Sequence, residues 1–506
     1  MPDSNPKIRT RFAPSPTGYV HIGNARTELF NFLFTRHMGG VHVLRVEDTD
    51  QTRLVEGAVE NMISVLGKLG ITFDEGPYMN EAGELAERGD FGPYTQSARL
   101  DIYKEHIQKL LDNKSAYYCF CSPERLEELR REQVALKQPP MYDRHCRNLS
   151  TEELANKQAE FKAAGKNPVV RFAIPLEGET VVKDIVFGEM HYQNSVLDDQ
   201  VLIKSDGFPT YHFAVVVDDH LMQISHVIRG EEWIPSTPKH ILLYKAFGWD
   251  EPQFAHMPLI LNQDKSKLSK RQGDVSVEDF LKKGYLPQAL VNFMVFLGWN
   301  PKTEQEIFSL EDLIKEFDLT KVNKSGAVFD NTKLDWMNSH YIREMSDENL
   351  LGALKPYLAT SGVDVEKFSS EFLHAVIKLE KDRLKKLLEI ADGHTNFYFK
   401  EPEYDGQILI WKKSDAEKTK QSLRLLQDLF RITGDDVMGD STKLEETVKA
   451  FIAEHEFDNG SVLWPLRVAL TGLEKSPGPF EVTSTLFLGW GRDGIDKRLE
   501  KAISLL

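Results

Sequence analysis

The sequence predicts an α/β domain built on a parallel sheet, interrupted by an α+β insertion and followed by a mostly α-helical C-terminal half. Three observations carry that prediction. First, KIRTRFA (7–13) reads as a short strand, 22–38 as an apolar helix, and VHVLRVED (41–48) as a second strand. Strand, helix and strand with short joins form a βαβ unit, whose strands run parallel. Second, residues 118–200 change character: a cysteine-bearing turn, a charged helix at 123–138, Pro139-Pro140, then strand-like VVRFAIP and TVVKDIVFG. A break of this kind within an α/β pattern reads as an insertion. Third, helical periodicity dominates from about residue 275, in PQALVNFMVFLGW, ENLLGALKPYL, SSEFLHAVIKLEKDRLKKLLEIA, QSLRLLQDLFRI and KLEETVKAFIA.

The elements have local causes. Pro14 and Pro16 end the first strand, because each removes a backbone donor and fixes φ. Leu29, Phe30, Phe32, Leu33 and Phe34 make the helix at 22–38 a buried one, and Gly39-Gly40 stop it. Helices at about 54–69 and 98–113 continue the α/β pattern. It resumes after the insertion with VLIKSDGFPTYHFAVVVDDH, SHVIRGEEW, a helix at 237–247 and the strand HMPLILN. No internal repeat is present.

A chain of 506 residues exceeds one ordinary core, so two to four domains are expected. The net charge of −16 argues against a non-specific nucleic-acid coat, while leaving local basic patches open. No run of eighteen apolar residues predicts a membrane span, and MPDSNPKIRT has no apolar core of a signal peptide. Three cysteines make no disulfide framework, so a cytoplasmic, reducing location is expected.

Two loops carry chemistry. In RTRFAPSPTGYVHIGN (9–24), His21 and Asn24 flank Gly23 where a helix starts. A helix N-terminus offers unpaired N–H groups and partial positive charge to a phosphate, and glycine lets the ligand approach the backbone. The stretch fits a nucleotide triphosphate site with His21 as a phosphate donor. It fits a capped helix with a surface histidine equally well. The second loop, LNQDKSKLSKRQGDVS (261–276), sets Lys265, Lys267, Lys270 and Arg271 around Ser266 and Ser269. Such a loop suits a polyphosphate transition state, although a charge run is more often a solvated surface. The pairing of the two loops in one α/β half favours the phosphate reading.

At these residues the chain resembles the class I aminoacyl-tRNA synthetases, specifically the bacterial glutamyl-tRNA synthetases. His21-Ile22-Gly23-Asn24 resembles the class signature His-Ile-Gly-His, with Asn24 in the fourth place. Lys267-Leu268-Ser269-Lys270-Arg271 is similar to Lys-Met-Ser-Lys-Ser. The blocks RFAPSPTG, RVEDTD, GPYTQS, SDGFPTYHFAVVVDDH, VIRGEEW and LWPLRVALTG extend the likeness along nearly the whole chain.

The resemblance implies a Rossmann-type catalytic domain at 1–117 and 200–258, an acceptor-end-binding insertion at 118–199, a stem-contact region at 259–340 and an all-helical anticodon-binding region at 341–506. It implies L-glutamate bound by Arg11 and Arg229, with Ala13, Ser15, Glu47 and Tyr211 around it. Val215 stands where many relatives carry asparagine. ATP is expected beside His21, Gly23, Glu232, Trp233, Lys267 and Lys270, with Mg2+ on its phosphates. The catalytic set is then His21, Asn24, Lys267, Ser269 and Lys270. The remaining partner is tRNA(Glu), the alternative being an enzyme that also charges tRNA(Gln). A monomer is expected.

Cys119, Cys121 and Cys146 fall in one window and resemble the zinc site of some glutamyl enzymes. Zinc needs a fourth ligand. Asn148 stands where zinc-bearing relatives often have histidine, which leaves Tyr142 or His145; the latter is adjacent to Cys146, a poor geometry for one ion. Three buried thiols without metal are the alternative. In the helical half, IKLEKDRLKKLLE (377–389) reads as a helix with a basic face that includes Arg383. Arg467, Thr471 and Ser476 in PLRVALTGLEKSPGPFE resemble the anticodon-reading end. The helical character itself separates glutamyl enzymes from glutaminyl ones, which carry β-barrels there.

Overall fold

The computed structural model describes residues 7–268, 275–391 and 394–506. The chain forms two compact units. One comprises the chain up to Asp279 with Leu290–Asp330; the other comprises Phe280–Ala289 with Asn331–Leu506.

The first unit is α/β. β1 (Arg9–Phe12) leads through the proline loop into α1 (Ile22–His37) and then β2 (Val41–Leu44), which pairs parallel with β1 in the register Arg9 to Val41. The βαβ unit is thus as the sequence predicts. His21 caps α1, its Nδ1 accepting from Gly23 N at 2.9 Å, and Gly39 ends the helix exit with φ of 61°. α1 is buried on all sides, which explains its continuous apolar run. Among its polar residues, the Arg26 guanidinium donates to Leu297 O at 2.7 Å and Pro258 O at 2.5 Å.

The remaining elements follow in order. They are α2 (Ala58–Lys68), the hairpin β3 (Gly76–Met79) and β4 (Leu85–Arg88), α3 (Leu100–Asp112), β5 (Ala116–Cys119), α4 (Pro123–Ala135), α5 (Thr151–Ala163) and β6 (Val169–Phe172). Next come the hairpin β7 (Glu179–Asp184) and β8 (Gly188–Gln193), then β9 (Val201–Ile203), α6 (Tyr211–Leu221), β10 (His226–Gly230), α7 (Thr237–Phe247) and β11 (Gln253–Met257). β10, β11, β7 and β8 form one sheet in that order, with β10–β11 and β11–β7 parallel. Ser225 N donates to Arg9 O, joining the start of β10 to β1. The β7–β8 hairpin, drawn from the stretch that breaks the α/β pattern in sequence, therefore extends the sheet that carries β10. β5, β6 and β9 form a separate antiparallel sheet. Val215 is 1% exposed within the apolar core of α3, α6 and α7.

The second unit is helical. Its helices Asp347–Thr360, Ser370–Glu380, Ala416–Ile432, Ser441–Glu454, Asn459–Thr471 and Pro479–Leu505 enclose one apolar core, and Gly491 (φ 64°) breaks the last of them. One expectation fails here: 377–389 is not a single helix. The helix ends at Glu380, and a 3-10 turn at Leu387–Ile390 follows. Tertiary bonds replace the helical ones. The Asn338 amide donates to Lys385 O at 2.5 Å, Lys381 Nζ reaches Met345 O and Asp347, and Leu384 and Leu387 are both buried.

Candidate active site and metal centre

The parallel strands of the first unit end on a cavity of about 910 Å³. Ligands bind at the carboxyl ends of strands in open α/β sheets, and the residues here follow from that rule. Arg11 sits in β1, Glu47 just after β2 and Arg229 near the end of β10. All three line the cavity, together with Ala13, Ser15, His21, Gly23, Asn24, Tyr211, Glu232, Trp233 and Lys267. Of the residues expected around glutamate and ATP, only Ser269 and Lys270 lie outside the described residues. The chain on either side of them is tied to this region. Leu268 N donates to Ile260 O at 3.0 Å, and Ile22 N donates to Val275 O at 2.8 Å.

The His21 cap decides a tautomer. A backbone N–H only donates, so Nδ1 accepts and the neutral ring carries its proton on Nε2. A Cβ on Gly23 would stand 3.1 Å from His21 Nδ1, so glycine keeps the ring in place as well as the backbone open.

Buried carboxylates hold the cationic side. Arg11 Nε bonds Asp219 at 3.1 Å; the same Asp219 oxygen takes Arg45 NH1 at 2.7 Å, and Arg45 NH2 reaches Glu47 at 3.1 Å. Asp218 next to it takes Arg99, Gln96 and Tyr103. The two arginines keep the Asp219 carboxyl below its usual range, against its burial. Glu47 goes the other way: burial outweighs Arg45 and Arg11 and raises its carboxyl to about 7. Tyr211 packs at a tilt of 38° against Trp233 with centroids 4.2 Å apart, and its hydroxyl accepts from Arg229 at 3.1 Å. Asp218 and Asp219 were not singled out from sequence. Two adjacent acids closing the apolar run FAVVV were the available signal, because such a pair is buried only where cations meet it.

The three cysteine sulfurs lie within 4.8 Å of one another. The Tyr142 hydroxyl joins them, 3.3 Å from Cys119 Sγ and 3.4 Å from Cys121 Sγ. Zinc at about 2.3 Å from each sulfur sets tetrahedral ligands roughly 3.8 Å apart; Cys121 and Cys146 are separated by 3.7 Å. The donor set therefore fits a closed tetrahedral zinc site. Arg125 lies 3.4 Å from Cys121 Sγ, and Arg171 covers the Tyr142 ring at 3.9 Å, so cations surround the cluster. Hydrogen bonds from the Cys121 and Cys146 thiols pull the Cys119 thiol well below its ordinary value. His145 is exposed and is not part of the cluster.

In the helical unit Arg383 is half-exposed and pairs with Glu380 at 3.3 Å. Thr471 is 3% exposed: its hydroxyl donates to Arg467 O at 2.7 Å and accepts from Leu473 N at 3.1 Å. The Ser476 hydroxyl donates to Pro477 O at 2.9 Å.

Parallel strands opening onto a polar cavity beside a capped helix start define an open-sheet α/β protein with its ligand site at the carboxyl ends of the strands. The family model described as tRNA synthetases class I (E and Q), catalytic domain, matches residues 7–336, and one described as anticodon binding domain matches 349–503. The chain belongs to the class I tRNA synthetases, in their glutamyl branch. It is 51% identical over 395 residues to a glutamate–tRNA ligase of Clostridioides difficile, covering 78% of this chain and 79% of that one. It is 44% identical over 506 residues to a glutamate–tRNA ligase of Dehalococcoides mccartyi, covering 99% of this chain and 98% of that one. A crystal structure of a glutamate tRNA ligase from Elizabethkingia meningosepticum, in complex with its amino acid, superposes with a TM-score of 0.84. Its identity is 36%, over 98% of this chain and 99% of that one.

Proposed function

We infer that the protein joins L-glutamate to tRNA(Glu) at the expense of ATP. The observation that carries this reading is the single cavity that gathers two buried arginines, Glu47 and the His21–Gly23 helix start. A glutamate substrate brings two carboxylates and one ammonium. Arg11 and Arg229 supply the cations, and Glu47 is the anion for the ammonium. Arginine suits this work because its planar fork meets a carboxylate with two parallel bonds.

ATP lies along the α1 terminus, with His21 Nε2 donating to phosphate and Trp233 and Glu232 near the adenosine. Lys267 and Lys270 meet the phosphates from the second loop, with Ser269 between them. The glutamate carboxylate attacks the α-phosphorus, the bond to pyrophosphate breaks, and glutamyl-adenylate forms. The hydroxyl of the 3′-terminal adenosine of tRNA then attacks the activated carbonyl, and AMP leaves. No protein nucleophile is required. Positioning is worth on the order of 7–11 kcal/mol for well-oriented reactants, and the cations offset the developing charge. Magnesium arriving with ATP would lean mainly on phosphates and its own waters.

Cys119, Cys121, Cys146 and Tyr142 would hold a structural zinc in the insertion. Arg383 is the cation offered to tRNA phosphate, and Arg467 with Ser476 belongs to the anticodon-reading end; the Thr471 hydroxyl serves its own helix end. The protein acts as a monomer. Among the described residues no helix is long and apolar enough to cross a membrane.

The test is aminoacylation with ATP, glutamate and two purified tRNAs, for glutamate and for glutamine. Charging of tRNA(Glu) alone is expected. Charging of both would identify the broader enzyme, and charging of neither would refute the reading.

A further inference from the structure

Arg11 and Arg229 face the same cavity, yet they are held in opposite ways. Arg11 is bonded directly to a carboxylate, Asp219, which it shares with Arg45. Arg229 is 6% exposed, and its guanidinium is ringed by neutral acceptors. Nε donates to His256 Nε2 at 3.1 Å. One terminal nitrogen donates to the Tyr211 hydroxyl at 3.1 Å and His240 Nδ1 at 3.3 Å; the other donates to Thr237 Oγ1 at 2.8 Å. Among the described residues no carboxylate lies within ion-pair distance of it.

An acid is tied to Arg229 through one intervening residue, His256. Asp184, at the end of β7, accepts from His256 Nδ1 at 2.6 Å, and both side chains are buried. The tautomer follows from the partners. A carboxylate can only accept, so Nδ1 carries the proton; a guanidinium can only donate, so Nε2 is bare. His240 obeys the same logic. Its Nδ1 accepts from Arg229, and its Nε2 faces His212 Nδ1 at 3.0 Å. An imidazolium in either place would lose its acceptor and repel the arginine.

We propose that His256, held by Asp184, is a positioning residue for amino-acid recognition. It orients Arg229 without neutralising it, so that a whole buried positive charge is left for the substrate's side-chain carboxylate, favouring glutamate over glutamine. The proposal rests on the glutamate-ligating reading and on Arg229 as the cation for the substrate side chain. Its physical basis is the cost of a buried charge. An unpaired buried cation is expensive, and a neutral glutamine amide returns little of that cost, whereas a carboxylate returns much of it. A carboxylate bonded directly to Arg229 would give away part of this difference before the substrate arrived. Burial supports the neutral states: it pushes His256 and His240 below their ordinary values, and His212 to about 4.

The experiment compares His256→Gln with His256→Asn, in full-length protein, by steady-state aminoacylation of tRNA(Glu). Glutamine places a polar atom where Nε2 stands, toward Arg229; asparagine places one where Nδ1 stands, toward Asp184. We expect H256N to raise the KM for glutamate at least tenfold, with kcat within threefold and the KM for ATP unchanged. H256Q keeps a polar atom toward Arg229 but loses the tie to Asp184, so its glutamate KM should lie between those of the unaltered protein and H256N. Equal glutamate KM values in the two variants, or a loss confined to kcat, would overturn the proposal. Should H256N fail to fold, Asp184→Asn decides. A higher glutamate KM at unchanged ATP KM supports the relay, and an unchanged glutamate KM refutes it. Failure of the unaltered protein to charge tRNA would count against the ligase reading itself, which keeps the two failures separate.

Discussion

Glu47 gives the sharpest prediction, because its charge state is set by burial and its proposed partner is a cation. The carboxyl is raised from 4.5 to about 7 in the ligand-free protein, burial being the largest cause and Arg45 the main opposing one. A bound ammonium favours the ionised form, so a protonated Glu47 must release its proton when glutamate binds. With a carboxyl at about 7, roughly 0.9 proton leaves per glutamate bound at pH 6 and about 0.1 at pH 8. Glutamate affinity should correspondingly weaken about tenfold per pH unit below 7 and level off above it. Isothermal calorimetry in buffers of different ionisation enthalpy counts those protons directly. Glu47→Gln should bind glutamate more weakly at pH 8 and release none through this pH window. Proton release that is flat between pH 6 and 8, or that survives in E47Q, would refute the assignment of Glu47 to the ammonium. The same burial sets a stability sign. Because the folded carboxyl is raised, ionising Glu47 destabilises the empty protein as pH climbs from about 4.5 to 7, and binding offsets that loss.

Three further outcomes follow from the geometry. Asp219→Ala leaves Arg11 and Arg45 buried without their shared carboxylate, so we expect a loss of about 3–5 kcal/mol in chemical denaturation of the catalytic unit, and a loss under about 1 kcal/mol would contradict the network. Purified protein should carry one zinc per chain. Tyr142→Phe should weaken zinc binding at least tenfold while His145→Ala leaves it unchanged, and the reverse order in metal analysis would move the fourth ligand to His145. Gly23→Ala crowds His21 Nδ1 and should weaken ATP binding by about 1 kcal/mol, the usual worth of an N-cap. An unchanged ATP KM in adenylate formation would remove the cap from the site.

Much of this was legible before any fold was known, where the chemistry is local. Pro14, Pro16, the Gly23 helix start and the βαβ pattern are short-range features, and the structure reproduces each of them. The cysteine trio was legible through the family resemblance, whereas the fold had to bring Cys146 back to Cys121 across 25 residues. The basic stretch at 377–389 shows where local reading ends. Its residues have helical periodicity, but the Asn338 amide and the burial of Leu384 and Leu387 stop the helix at Glu380.

Sequence by itself determined the parallel α/β core and the helical second half, which follow from period and turn chemistry that act within a few residues; the residues expected at the cavity came from the family resemblance. Only the tertiary structure decided which charges are spent and which are kept. Asp219 reaches Arg11 across 208 residues, and Asp184 reaches His256 across 72. The protonation of Glu47 and the neutral ring around Arg229 depend on what is buried beside them, and burial is a property of distant segments brought together.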